Sequence, residues 1–239
     1  MQISIHAIVI SKIRYRDNDL IVKCYTDQLG IVSYMLKGVL KSKKGNIKTA
    51  YFQLLSQLQL DTIHRENSSL QFIKDIKLNH LYSTLHTNVI KGSVVMFLAE
   101  VLASVLKEEE TNPSLYDYLE TAFLWFDKQD QYSNFHLLFL LNLTKHLGFY
   151  PDISNIQFDY FNLSEGEFQS ENMSKYSISG ENLILLKRLL GTKFEELYAI
   201  KLNSKQRLSF LKMILLYFEL HLSDFKQPRS LQLFNQVFN

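Results

Sequence analysis

The stretch IVISKIRYRDNDLIVKCYTDQLGIVSYMLKGVLKSKK, residues 8–44, carries a strand-turn-strand pattern that runs into a cluster of lysines with almost no acidic counterweight. Leading into it, Ile3, Ile5, Ala7 and Val9 recur at every second position and so share one face of a strand. Leu20 to Thr26 and Ile31 to Leu36 read as the next two strands, and Asp27-Gln28-Leu29-Gly30 closes the hairpin between them. From Met1 to His80 there are twelve basic and six acidic residues, a local charge of +6. The whole chain carries only +2, which leaves −4 for residues 81 to 239. This segregation points to a polyanionic partner for the N-terminal part.

Outward from that stretch, Tyr51 to Asp61 reads as a strand with Phe52, Leu54, Leu58 and Leu60 facing inward. Leu70, Phe72, Ile76 and Leu78 form another after the polar turn Arg65-Glu66-Asn67-Ser68. Five short strands without an intervening helical pattern suit a small barrel. The OB-fold is the commonest nucleic-acid-binding type, and an SH3-like barrel is the other architecture this count allows. Near Leu81 the apolar period changes from two to three or four, and residues from Val89 to Leu106 line a long helix. Pro113 opens a second helix, a third runs from about Ser133 to Leu147 and stops at Gly148, and later helices are expected at Ser179 to Leu190, Ser204 to Leu222 and Arg229 to Phe238. The predicted fold class is therefore α+β in two domains. A five-stranded OB-fold barrel spans residues 1–80, and an all-α helical domain spans 81–239 with an irregular, cysteine-free excursion at about 151–177.

Composition excludes several kinds of protein. A chain of 239 residues with 46% hydrophobic content has enough apolar material for one large or two modest cores. The single cysteine, Cys24, excludes an intrachain disulfide and a four-cysteine metal site, and suits a reducing cytosol. No leader pattern is present and no apolar run reaches the roughly 18 residues of a membrane span, so no membrane role is expected. There is no GxxxxGK[ST] loop, GxGxxG turn or GxSxG elbow. His6, His64, His80, His86, His136, His146 and His221 are scattered, with no pair at i, i+4. Glu108-Glu109-Glu110 reads as a solvated helix end, and Asp152, Asp159, Glu165 and Glu167 lack calcium-loop spacing. Neither metal, cofactor nor catalytic residue is expected, and Cys24 reads as core packing.

What remains is a basic set interleaved with aromatics: Lys12, Arg14, Arg16, Lys37, Lys41, Lys43, Lys44 and Lys48 as phosphate contacts, with Tyr15 and Tyr51 placed for base stacking. No acid lies between residues 28 and 60. A solvated, inert loop is the bland account of the same lysines. Backbone contacts supply affinity without sequence preference, so the pattern describes a non-specific binder, and charge with stacking fits RNA as well as DNA.

The segment at 7–44, KHLGFYPDI at 145–153 and YFELHLSDFKQPRSLQLFNQ at 217–236 together resemble the bacterial RecO family of recombination mediators over nearly the full chain. The resemblance implies an N-terminal OB-fold, a helical C-terminal domain, no enzymatic turnover and a cytoplasmic, nucleoid-associated role in DNA repair. It further implies binding of single- and double-stranded DNA, strand annealing, and RecA loading with RecR and RecF on strands coated by single-strand-binding protein, whose C-terminal tail would be a partner. Lys187, Arg188 and Lys193, or Lys205, Arg207 and Lys212, are the basic sets suited to that acidic tail. The chain departs from the family in one respect: many members carry a four-cysteine zinc ribbon after the motif that here reads LGFYPDI, whereas residues 154–176 contain no cysteine. Packing by Phe158, Tyr160, Phe161 and Phe168 is expected to hold that excursion instead. The rival function is an RNA-binding OB module on a helical scaffold.

Overall fold

A computed structural model describes residues 2–41, 49–65, 68–106 and 111–238. The chain divides into two compact units. One takes in residues to Lys128 together with Pro228–Ser230; the other takes in Gln129–Gln227 and the residues after Ser230. The change of period near Leu81 falls inside the first.

The first unit is built on five antiparallel strands, β1 (Gln2–Tyr15), β2 (Asp19–Thr26), β3 (Gly30–Leu36), β4 (Gln57–Ile63) and β5 (Phe72–Leu78), in the order β3-β2-β1-β4-β5. The expected face of Ile3, Ile5, Ala7 and Val9 lines the barrel interior with Val22, Cys24, Tyr34, Leu58 and Leu60. The ladder stays open between its edge strands except at one parallel bridge, Tyr34 to Gln71. There Met35 N–H donates to the Gln71 carbonyl at 2.9 Å and Gln71 N–H to the Ser33 carbonyl at 2.8 Å. This is an OB-like sheet, as the sequence predicts. The hairpin at Asp27 to Gly30 forms as expected, with Thr26 Oγ1 donating to the Gly30 carbonyl at 2.9 Å and accepting from Leu29 N–H at 2.9 Å.

The third connection differs from the sequence reading. Thr49–Phe52 is a short 3-10 turn, Leu55 takes a left-handed backbone at φ 62, and β4 starts only at Gln57. In β5 only Ile76 is buried, whereas Phe72 and Leu78 are exposed. The register shift between Asp61 and Thr62 lets Ile73 pair with buried Thr62 and puts Phe72 opposite exposed Ile63.

Two helices complete this unit, α1 (Val89–Val105) and α2 (Pro113–Lys128). Asn88 starts α1 by accepting from Ile90 and Lys91 N–H, and Asn112 accepts from Leu115 N–H ahead of Pro113. The helices explain why residues 7–10 are apolar without a gap. Ala7 and Val9 face the barrel, while Ile8 pairs with Tyr25 on the outer face, where α1 packs on β1 and the Tyr25 hydroxyl donates to the Asn112 carbonyl at 3.2 Å. The segment before α1 is tied to the end of α2 by one carboxylate. Asp127 accepts from the N–H groups of Ser83, Thr84 and Leu85 at 2.9, 2.8 and 2.7 Å and from the Ser83 hydroxyl at 2.9 Å. Burial raises this carboxyl, but the four donors outweigh it and hold it at about 2. Buried Lys91 closes the network, its ammonium donating to Thr84 Oγ1 at 2.7 Å and to the Asp127 carbonyl at 2.8 Å.

The second unit contains α3 (Phe135–His146), α4 (Gly180–Leu189), α5 (Ser204–His221) and α6 (Leu231–Phe238). Gly148, at φ 86, ends the run of α3 as its position in the sequence predicts. The excursion expected to be irregular instead carries a small sheet of β6 (Tyr160–Asn162), β7 (Glu167–Gln169) and β8 (Ser177–Ile178), with β6 central. Strands of three, three and two residues are too short to show a period. Phe161 and Phe168 are buried with ring centroids 4.9 Å apart, whereas Phe158 and Tyr160 are only half-buried. Phe161 also lies 5.9 Å from Tyr217, whose hydroxyl donates to the Phe149 carbonyl at 2.8 Å, while His221 bonds the Leu163 carbonyl at 2.9 Å. Among the described residues no helix is long and apolar enough to cross a membrane.

Candidate nucleic-acid interface

The basic segments that lie 20 residues apart in sequence meet at one end of the barrel. A bulge makes this geometry: pairing of β1 with β2 shifts between Val9 and Ser11, leaving Ile10 as the extra residue. Beyond it Lys12 pairs with Val22 and Arg14 with Leu20, so both cations share the face of core residues. They remain exposed because β1 pairs with β4 only from Gln2 to Ile8 and its outer half projects past that pairing. Ile13 and Tyr15 take the opposite, outer face, and the turn follows with Arg16 in a left-handed backbone at φ 53. The chain leaving β3 is clasped onto this turn. Gly38 N–H donates to Asp19 Oδ1 at 2.7 Å and Leu40 N–H to the Asn18 carbonyl at 3.0 Å, which seats Lys37 and Lys41 beside the Arg14–Arg16 segment.

Lys12, Arg14, Arg16, Lys37 and Lys41 are all exposed. Lys43, Lys44 and Lys48 lie outside the described residues. Tyr15 is 38% exposed with the Arg16 guanidinium 5.2 Å from its ring centroid. Tyr51 is partly buried against the barrel core, so its ring is less open to a base than the sequence suggests. Phe72, which the sequence reading placed in the fifth strand and not among the site residues, is 40% exposed with the Lys37 ammonium 5.2 Å from its ring centroid. Lys12 also lies close enough to His86 to act on it. Burial lowers this imidazole and Lys12 lowers it further, against the Leu54 carbonyl and Asp127, which raise it.

Comparison with known proteins agrees with this architecture. The family model described as Recombination protein O N terminal matches residues 1–82, and that described as Recombination protein O C terminal matches residues 86–231. The chain belongs to the recombination protein O family. The DNA repair protein RecO of Christiangramia forsetii is 47% identical over 238 residues, with 100% of each chain covered. That of Flavobacterium psychrophilum is 40% identical over 239 residues, again with 100% of each chain covered, and that of Bacteroides fragilis is 31% identical with 97% of each covered. Membership places the chain among the proteins of DNA repair and recombination.

The zinc ribbon that the RecO resemblance raised does not fit this chain. Cys24 is fully buried in the barrel, where burial pushes its thiol up, and the excursion supplies no cysteine thiolate. Among the described residues no group of three or more His, Cys, Asp or Glu is placed to hold a metal ion. Asp152 is engaged locally, accepting from Ser154 N–H at 2.8 Å and from its hydroxyl at 2.6 Å. His136 is buried, and burial followed by the Arg207 charge lowers its imidazole to about 3, which keeps it neutral. Of the two basic sets proposed for an acidic tail, Lys187 donates to the Phe158 carbonyl at 2.6 Å and so helps hold the excursion. Arg207 borders a cleft of about 260 Å³ with Asn134, exposed Tyr198 and Lys201.

Proposed function

We propose that this protein is a non-catalytic mediator of recombinational repair, cytoplasmic and nucleoid-associated, that binds single- and double-stranded DNA and anneals complementary strands. It would then assist RecA loading with RecR and RecF. The observation that carries this reading is the convergence of Arg14, Arg16, Lys37 and Lys41 on one barrel end through the clasp of Gly38 and Leu40 onto the β1–β2 turn. Annealing requires two polyanions to be brought together, and a compact cluster of cations lowers their repulsion while salt-sensitive contacts let strands shift into register. The Arg207 cleft of the second unit, with Lys201 and Tyr198 beside it, supports docking of the acidic, apolar C-terminal tail of single-strand-binding protein.

Fluorescence anisotropy of a labelled single strand across a salt series tests the DNA reading. With about four phosphate contacts, log affinity falls against log salt with a slope near −3, about −0.7 per contact. Replacing Arg14, Arg16, Lys37 and Lys41 by Gln flattens the slope and slows annealing of complementary oligonucleotides while circular dichroism and melting stay as in the wild type. An unchanged slope in that folded variant would remove this barrel end as the DNA site. Competition by unlabelled RNA more effective than by DNA would favour the RNA-binding module instead.

A further inference from the structure

We propose that the Arg207 cleft of the second unit reads the spacing of acids in an extended peptide, and that Asp130 sets this specificity by repelling acids on one side. This rests on the tail-docking reading above and gives a role to a cleft residue which that reading does not use. The cleft has two walls. One is the segment 130–134 ahead of α3; the other is the segment 197–202, which continues a 3-10 turn at Phe194–Ala199. A buried hydrogen bond stitches the walls together, Asn134 Nδ2 donating to the Ile200 carbonyl at 2.6 Å. The Phe135 and Phe194 rings, with centroids 5.2 Å apart, brace the elements that carry them. Arg207 of α5 is fastened to the second wall, its Nη1 donating to the Leu202 carbonyl at 2.6 Å and its Nη2 to Ser204 Oγ at 3.3 Å. These bonds hold the walls in place, so the cleft is formed before any ligand arrives.

The walls carry opposite charge. Asp130 is exposed on the first, with Gln131 and Ser133, whereas Lys201 is exposed on the second, close in sequence to Tyr198, which is 64% exposed. Among the described residues Asp130 makes no ion pair with Lys201 or Arg207, so the cleft keeps its polarity instead of cancelling it. Side chains of an extended peptide point alternately to opposite sides. A peptide lying along the cleft therefore turns one set of alternate residues to Lys201 and Arg207 and the other set to Asp130. Acids two positions apart share the cationic side. Adjacent acids cannot, and the second of them meets Asp130, where like charges subtract a modest amount of binding. The Tyr198 ring is open to an apolar residue of the same peptide.

The test uses the full chain and two fluorescent peptides of identical composition and identical apolar C-terminal residue, one with two aspartates separated by a neutral residue and one with them adjacent. Both are titrated by anisotropy from low to high salt. The expected result is that the wild type binds the separated form about two- to fivefold more tightly, and that this preference fades as salt rises. It vanishes in Asp130→Asn, which binds the adjacent form more tightly than the wild type does. A gain of affinity cannot come from a damaged fold. Lys201→Gln weakens binding of both peptides and lowers its salt dependence. Equal affinity of the wild type for the two peptides, an Asp130→Asn variant that binds the adjacent form no better, or unchanged binding by Lys201→Gln overturns the proposal while tail docking stands. A wild-type protein that binds neither peptide removes tail docking and this proposal with it.

Discussion

Asp127 gathers the N–H groups of Ser83, Thr84 and Leu85 on one carboxylate, and its effect can be read against pH. Its folded value of about 2 lies below the ordinary 3.8, so its contribution is complete at pH above about 4 and is lost as the pH falls toward 2. A drop of that size corresponds to about 2 kcal/mol. Urea denaturation at pH 5 and pH 2.5 should show a larger loss in the wild type than in Asp127→Asn, which is already destabilised at pH 5. Parallel losses would mean that the carboxylate is not what titrates. A second residue with a defined cost is Gly166, at φ 74, where an added Cβ would lie 2.8 Å from the Tyr217 hydroxyl. Gly166→Ala should cost about 1–3 kcal/mol from backbone strain and overlap together. Adding Tyr217→Phe should recover part of the overlap but none of the strain, which a double-mutant cycle measures. Neither role was legible in the sequence. An aspartate near a helix end and a glycine in a polar loop are commonplace, and it is the chain returning from a distance that gives each its function.

At the level of elements, the apolar periods pointed to five strands and six α-helices, most clearly where a stripe is buried along the element, as in β1 and α1. Alternation failed where the period slips. Reading β1 straight through from Val9 would put Ile13 inward and Arg14 outward, whereas the extra residue at Ile10 reverses both. A similar shift in β4 against β5 turned Phe72 to the surface. The three strands of the excursion escaped because two or three residues are too few for alternation to be told from chance. Their packing nevertheless supports the expectation that aromatics hold this segment, through Phe161 and Phe168 rather than all four rings. Phe161→Ala should therefore cost about 3–5 kcal/mol, read as a fall in melting temperature with loss of near-ultraviolet dichroism. A change below about 1 kcal/mol would show that the small sheet does not depend on this ring.

For the molecule as a whole, the segregation of charge visible in the sequence does not coincide with the division into compact units. The +6 is carried by residues 1–80, whereas the first compact unit runs on to Lys128, where α1 packs on a strand whose two faces are both apolar. Clasps such as Gly38 N–H to Asp19 Oδ1 leave no trace in composition, so the cations of the proposed interface are legible in the sequence and their convergence is not. If aromatic packing holds the excursion without a metal, dialysis against a strong chelator should leave the melting temperature of the full chain unchanged, and elemental analysis beforehand should find well under one zinc per chain. A large fall in melting temperature on chelation would require a ligand set other than cysteine.

The extra residue at Ile10 also bears on how this protein can evolve. Because the two halves of β1 are out of step, substitutions at Lys12, Ile13, Arg14 or Tyr15 leave the packing of Ile5, Ala7 and Val9 untouched, and a lineage can retune the outer half without refolding the barrel. Loss of a single codon there is another matter. It would exchange the two sets, bringing Ile13 and Tyr15 to the inner face and sending both cations outward. This strand should therefore tolerate point changes and reject deletions.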